Sequence, residues 1–238
     1  MTINETKKQH NFIDLLINEA SAYQSFDRIE ALVEDRSDLS NLPMQPLYIA
    51  LKNLPLDKRA SSLSKLSKEQ RRTFLDIDLW AKDQISISNF ENWILTYALN
   101  SDTLIKYEFV TSSEIALFLK ARFNIWTFDL ENPQYPDHDN YFLTEDNLLL
   151  FEYDDNCEYV EQVKHLIKVL YTEQGVEKAY SYLFKITSDQ FEQFSEDEYQ
   201  SKKNRLRDYG LVDYYDALEI NSSFTKIELV KHFIDKKT

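Results

Sequence analysis

The sequence predicts a mainly α protein: a superhelix of short stacked helices with a small β-hairpin or three-stranded sheet in its second half. Three observations carry this. The 238-residue chain holds two glycines, too few for a Rossmann fold, a P-loop or an all-β sandwich, whose tight turns and phosphate loops depend on glycine. Residues 54–65 and 66–77 form two units in one register, matching Leu54 with Leu66, Pro55 with Ser67, Asp57 with Glu69, Arg59 with Arg71 and Leu63 with Leu75. Each reads as a short helix with leucines on one face, opened by Pro55 or by a capping box of Ser67 with Gln70. A two-turn helix does not persist alone in water, so such units must stack. From Phe123 onward the composition turns β-branched and aromatic, as in short strands.

Taken in order, Phe12, Ile13, Leu15, Leu16 and Ile17 have helical spacing, and Ile29, Leu32 and Val33 suggest a helix after Asp27. Polar residues 34–41 with Pro43 and Pro46 form a connection, and Leu47 to Leu51 restart a helix that stops before Pro55. After the tandem units, Ser88 to Glu91 reads as a capping box for Phe90, Trp93, Ile94 and Tyr97. Thr111 to Glu114 opens a helix carrying Ile115, Phe118 and Leu119. Strands are expected at 125–128, 141–144 and 148–153, the last two joined by a turn at Glu145-Asp146-Asn147. Val160, Val163, Leu166, Ile167 and Leu170 make the cleanest amphipathic stripe, ending near Gly175. Further helices follow over 176–186, from a cap at Thr187-Ser188-Asp189-Gln190 to a stop at Gly210, over 211–220, and over 224–234. The composition shift divides the chain into a helical-repeat region, 1–122, and a mixed unit, 123–238.

The formal charge is −14, which argues against nucleic acid as a partner, because phosphate contacts need a basic field. The charge is unevenly spread. Lys52 to Lys82 contains eight Lys/Arg against four Asp/Glu, whereas Asp129 to Glu161 contains eleven Asp/Glu and no Lys or Arg. One cysteine, Cys157, excludes an internal disulfide and a thiolate cage. The polar N-terminus, an early apolar group broken by Asp14, and the lack of any long apolar run predict neither a signal peptide nor membrane insertion. A cytoplasmic location is the expectation.

The run Leu63-x-x-Leu66-Ser67-x-Glu69-Gln70, with Leu75-Asp76-Ile77-Asp78-Leu79-Trp80 and Asp83, resembles an uncharacterised bacterial family catalogued as domain of unknown function 6178. Leu148 to Asp154, and Asp208-Tyr209-Gly210 leading to Tyr215-Asp216-Ala217-Leu218-Glu219, look like the same family, so the landmarks span about residues 30 to 220. Many members are longer, which implies a further C-terminal portion. Residues 45–120 are more loosely similar to the cytoplasmic N-terminal domain of MgtE-type magnesium transporters, a superhelix that helps to sense magnesium. Neither resemblance brings a catalytic residue.

Two sets of side chains are candidate sites. Asp76, Asp78 and Asp83 around Trp80 offer hard oxygen ligands for Mg²⁺ or Ca²⁺. Alternatively Asp78 caps the next helix, Asp76 pairs with Arg71 or Arg72, and Trp80 packs between helices. Lys58, Arg59, Lys65, Lys68, Arg71 and Arg72, with Trp80, form a candidate contact surface for another protein, as does the acidic stretch 129–161. Asp137-His138-Asp139 and the carboxylates after it read as a solvated acidic loop, because Tyr141 and Phe142 break the calcium-loop pattern. The four histidines show no paired spacing, Cys157 has no nucleophile context, and Lys202 to Arg207 reads as a solvated helix face. The first functional expectation is a non-catalytic cytoplasmic protein-interaction or regulatory module with no cofactor. The second is a divalent-cation (Mg/Ca) sensor, and the third a carboxylate-based hydrolase of unknown substrate.

Overall fold

The computed structural model describes residue 21 and residues 26–35, 38–187 and 191–224. Eleven helices, a two-stranded sheet and a three-stranded sheet lie within them, so the protein is mainly helical with a small β element in its second half. The helix expected at Phe12 to Ile17, most of the cap at 187–190 and the closing segment beyond Phe224 lie outside the described residues.

Helix α1 (Phe26–Asp35) buries Ile29 and Val33. Helix α2 (Met44–Asn53) starts earlier than the two prolines suggest. Pro46 is its third residue, where the backbone has no intrahelical acceptor to lose, so the ring breaks nothing. The tandem units become α3 (Leu56–Ser62), which runs on into a 3₁₀ turn at Leu63–Lys65, and α4 (Lys68–Asp78). The capping box forms as expected: Ser67 Oγ accepts from the Gln70 backbone at 3.1 Å, and Gln70 Oε1 accepts from the Ser67 backbone at 3.0 Å. The Gln70 side-chain amide then donates to the Leu39 carbonyl at 2.9 Å, tying the start of α4 to the loop before α2.

A hairpin that the sequence does not announce follows α4. Strand β1 (Trp80–Ala81) pairs antiparallel with β2 (Gln84–Ile85), Trp80 opposite Ile85. Lys82 takes φ +64° in the turn, a conformation that usually calls for Gly or Asn. The Ser86 backbone donates to the Leu79 carbonyl at 2.7 Å, which closes the hairpin and starts α5 (Ile87–Leu99) two residues before the expected box at Ser88. Helix α6 (Thr103–Val110), capped by Asp102, was not legible as a separate element. Helix α7 (Ser113–Arg122) is capped by Ser112 rather than Thr111.

Strands β3 (Asn124–Thr127), β4 (Tyr141–Leu143) and β5 (Leu149–Glu152) form an antiparallel sheet ordered β3-β5-β4, with Ile125 and Phe142 both opposite Phe151. Asn147 takes φ +56° in the expected turn. Helix α8 (Val160–Gln174) buries the predicted stripe and ends at Gly175, whose φ of +79° reverses the chain. Helix α9 (Val176–Phe184), a 3₁₀ turn (Lys185–Thr187), α10 (Phe191–Asp208) and α11 (Tyr214–Phe224) complete the order.

The aromatic rings join the two halves. Phe90 stacks on Phe118 at 4.5 Å and Tyr97 on Phe109 at 4.0 Å; Phe118 reaches Tyr159 at 5.7 Å and Phe123 at 6.4 Å, and Phe123 meets Phe142 and Phe151 of the sheet. Helix α8 packs across α5 and α6, and α10 packs against α4. One contiguous hydrophobic core results.

Candidate functional site

The tandem units turn about half of their cations into structure. Arg71 is buried: Nη1 donates to the carbonyls of Leu63 and Leu66 at 3.2 and 2.6 Å, and Nη2 pairs with Glu108 at 2.7 Å. Lys65 donates to the Val33 carbonyl at 3.0 Å, and Arg59 Nε to Thr96 Oγ1 at 3.1 Å. These three of the expected contact residues therefore point at neighbouring elements. Lys58, Lys68 and Arg72 remain exposed.

Trp80 is half-buried on the hairpin, its ring 5.9 Å from Tyr199 and under the Lys202 ammonium at 5.4 Å. Its three neighbouring aspartates go separate ways. Asp78, the last residue of α4, accepts from Tyr48 Oη at 2.7 Å and Trp93 Nε1 at 2.8 Å and pairs with Lys52. It caps no helix, because the hairpin separates it from α5. Asp76, whose side chain is fully buried, takes both Nε and Nη2 of Arg205 at 2.7 Å, rather than Arg71 or Arg72. Asp83 is exposed at the hairpin tip. The fold does not gather the three into one cage, and among the described residues no group of three or more His, Cys, Asp or Glu is arranged to hold a metal ion.

Of the stretch Lys202 to Arg207 only Asn204 and Arg207 are exposed. Lys202 is buried and pairs with buried Asp213 at 3.0 Å, and Tyr199 Oη donates to the same carboxylate at 2.7 Å. Burial works to raise the Asp213 carboxyl, but the hydrogen bonds from Tyr199 and Lys202 outweigh it and hold the group below its ordinary range. Lys203 pairs with Asp216 at 2.6 Å. Tyr209 Oη donates to Glu69 at 2.5 Å. Helix α10 is thus fastened to α4 by Arg205 and to the β1–β2 hairpin by the rings about Lys202. A helical wheel shows four cations in one run; only the fold shows the carboxylates 9 to 129 residues away that receive them.

Beside this clasp lies a cleft of about 180 Å³ between α4, α6 and the start of α7. Lys68 and Arg72, one helical turn apart on α4 and exposed, line it together with Thr111, Ser112 and Ser113. Leu75, Phe109, Tyr97, Glu108 and Glu114 complete it. No described residue forms a hydrogen bond or ion pair with the Lys68 or Arg72 side chain, nor a hydrogen bond with the Tyr97 hydroxyl. Tyr97 is nonetheless 2% exposed, and burial raises its hydroxyl above the ordinary phenol range. Glu114 is 1% exposed and meets Arg205 at 3.5 Å. Burial, with Asp76 adding to it, pushes its carboxyl up to about 7.

The remaining sequence candidates are placed as follows. His138 pairs with Glu152 at 2.8 Å, His165 lies 3.0 Å from Lys106, and Cys157 is buried without a second thiol. Nine of the eleven carboxylates from Asp129 to Glu161 are exposed, Asp146 and Glu152 being the half-buried pair. No helix among the described residues is long and apolar enough to cross a membrane.

A family model described as a family of unknown function, DUF6178, matches residues 13–237, and the chain belongs to that family. No curated protein and no solved structure matches it, so the looser likeness to the magnesium-transporter domain gains no support.

Proposed function

We propose that this member of the DUF6178 family is a non-catalytic cytoplasmic module that binds an acidic segment of a partner protein at the cleft between α4 and α7. The observation that carries the reading is the contrast within one basic segment: Arg59, Lys65 and Arg71 are bonded to neighbouring elements, whereas Lys68 and Arg72 flank a concave site with neither an ion pair nor a hydrogen bond among the described residues. Two cations one turn apart match a carboxylate in charge and spacing, and the hydroxyls of Ser112 and Ser113 can add polar contacts around it. Outside this patch the chain is acidic. That disfavours a long polyanion such as nucleic acid, which needs a continuous basic field, and favours a short acidic segment held at one place.

The test is fluorescence anisotropy with a labelled oligoglutamate peptide at low and moderate salt, with an oligolysine peptide and a single-stranded oligonucleotide as competitors. Binding that weakens with salt and is lost in Lys68→Glu/Arg72→Glu, with the fold intact by circular dichroism, supports the reading. Equal binding by the double variant overturns it, and displacement by the oligonucleotide at much lower concentration than by unlabelled oligoglutamate assigns the cleft to nucleic acid instead.

A further inference from the structure

The cleft that attracts an anion at its edge has a carboxylate, Glu114, in its wall. Arg205 neutralises that carboxylate only weakly: its Nε and Nη2 each donate to Asp76 at 2.7 Å, whereas the bond from Nη2 to Glu114 is long, at 3.5 Å. Glu198, on the same helix as Arg205, adds a further negative charge acting on Glu114, and its Oε2 is buried without a hydrogen-bond partner. Glu108 is held by Arg71. Asp76 and Glu198 therefore act on Glu114 against Arg205 before any ligand arrives.

We propose that the cleft takes a partner's carboxyl group together with one proton, which Glu114 holds. This deepens the docking reading above and rests on it. A second carboxylate brought against ionised Glu114 would place two like charges side by side at a buried carboxyl; one shared proton turns repulsion into a hydrogen bond. The balance is simple: a proton leaves solvent for Glu114, no covalent bond to carbon changes, and the partner's carboxylate accepts from the new O–H. Lys68 and Arg72 face the outer side of the incoming group. Tyr97, 2% exposed, brings a phenol hydroxyl to the same cleft as a further donor. The raised carboxyl of Glu114, about 7, means that this proton costs little near neutrality.

The charged and titratable groups around Glu114 are Lys68, Arg72 and Asp76 of α4, Tyr97 of α5, Glu108 of α6, Tyr182 of α9, and Glu198 and Arg205 of α10. Lys185, in the 3₁₀ turn packed on α7, is exposed, and β2 brings only Gln84 and Ile85. Neither His138 nor His165 lines the cleft.

Oligoglutamate affinity is measured at about pH 6 and about pH 8, where the peptide's own carboxyls stay ionised. Wild type is expected to bind about tenfold more weakly at the higher pH, because one proton is taken up on binding. Glu114→Gln, which mimics the protonated group, is expected to bind at both pH values as wild type does at the lower. Calorimetry of wild type at about pH 8, in two buffers of different ionisation enthalpy, reads the proton directly and needs no variant. Affinity that does not change with pH, or binding heat that is the same in both buffers once dilution is subtracted, overturns the coupling while leaving the docking reading in place. Absence of binding at both pH values overturns both.

Discussion

Residues 52–82 and 129–161 are the two most strongly charged stretches of the chain, and the fold treats them in opposite ways. In the first, Lys52, Arg59, Lys65, Arg71, Asp76 and Asp78 are bonded across helices, and what remains at the surface is sparse and placed. In the second, nine of eleven carboxylates are exposed on loops, turns and the first turn of α8. Asp146 is the main exception, accepting from Thr144 at 2.6 Å and Tyr171 at 3.0 Å to hold the β4–β5 turn. The difference follows from where each stretch lies. Helices α3 and α4 are surrounded by other elements, so long cationic side chains reach backbone carbonyls and buried carboxylates. The acidic stretch edges a small sheet, and its short side chains have water within reach.

The contrast can be broken most severely at Arg205. Arg205→Ala leaves Asp76 and Glu114 buried without their guanidinium, and unfolding in urea is expected to show a loss of about 3 to 5 kcal/mol. A loss below about 1 kcal/mol would mean that α10 is not fastened through this pair. Next comes the pH dependence of Glu114. Its carboxyl, raised to about 7 from an unfolded value of 4.5, contributes stability that is present below the unfolded value and is lost as pH rises through the folded one. The loss from this group is on the order of 3 kcal/mol. Glu114→Gln should flatten that part of the stability profile, and an unchanged profile would place the titration elsewhere. Ser67→Ala removes one half of the capping box and should cost about 1 kcal/mol. At the far end, Asp137→Asn with Asp139→Asn should change stability by less than about 0.5 kcal/mol; a larger effect would show that the acidic loop, too, is part of the structure's bonding.

Much of the fold was legible because local rules governed it. The capping box at Ser67, the stripe from Val160 to Leu170, the stop at Gly175 and the strands after Phe123 all depend on neighbours within a few residues. The hairpin at Trp80 to Ile85 was not legible, since its turn uses Lys82 at φ +64° without glycine or asparagine. Lys82 is held instead by distant groups: its ammonium lies 5.0 Å from the Tyr214 ring and its carbonyl accepts from Lys202 at 3.4 Å. Among the site residues, Lys68 and Arg72 were expected as contacts and remain at the surface. Glu114 and Tyr97 were read only as cap and core residues, because nothing in their spacing shows that they share a cleft. Lys202 and Arg205 were expected to be solvated, and a run of cations gives no sign of a carboxylate more than a hundred residues away.

By itself the sequence determined the helical class, most helix starts and stops, the three-stranded sheet and the charge polarity. These follow from backbone preference, side-chain capping and hydrophobic period, which act over one or two turns. Only the tertiary structure decided which charges face a partner and which face the core. That choice depends on distances between elements far apart in the chain, where burial changes both the partner of an ion and the energy of leaving it alone.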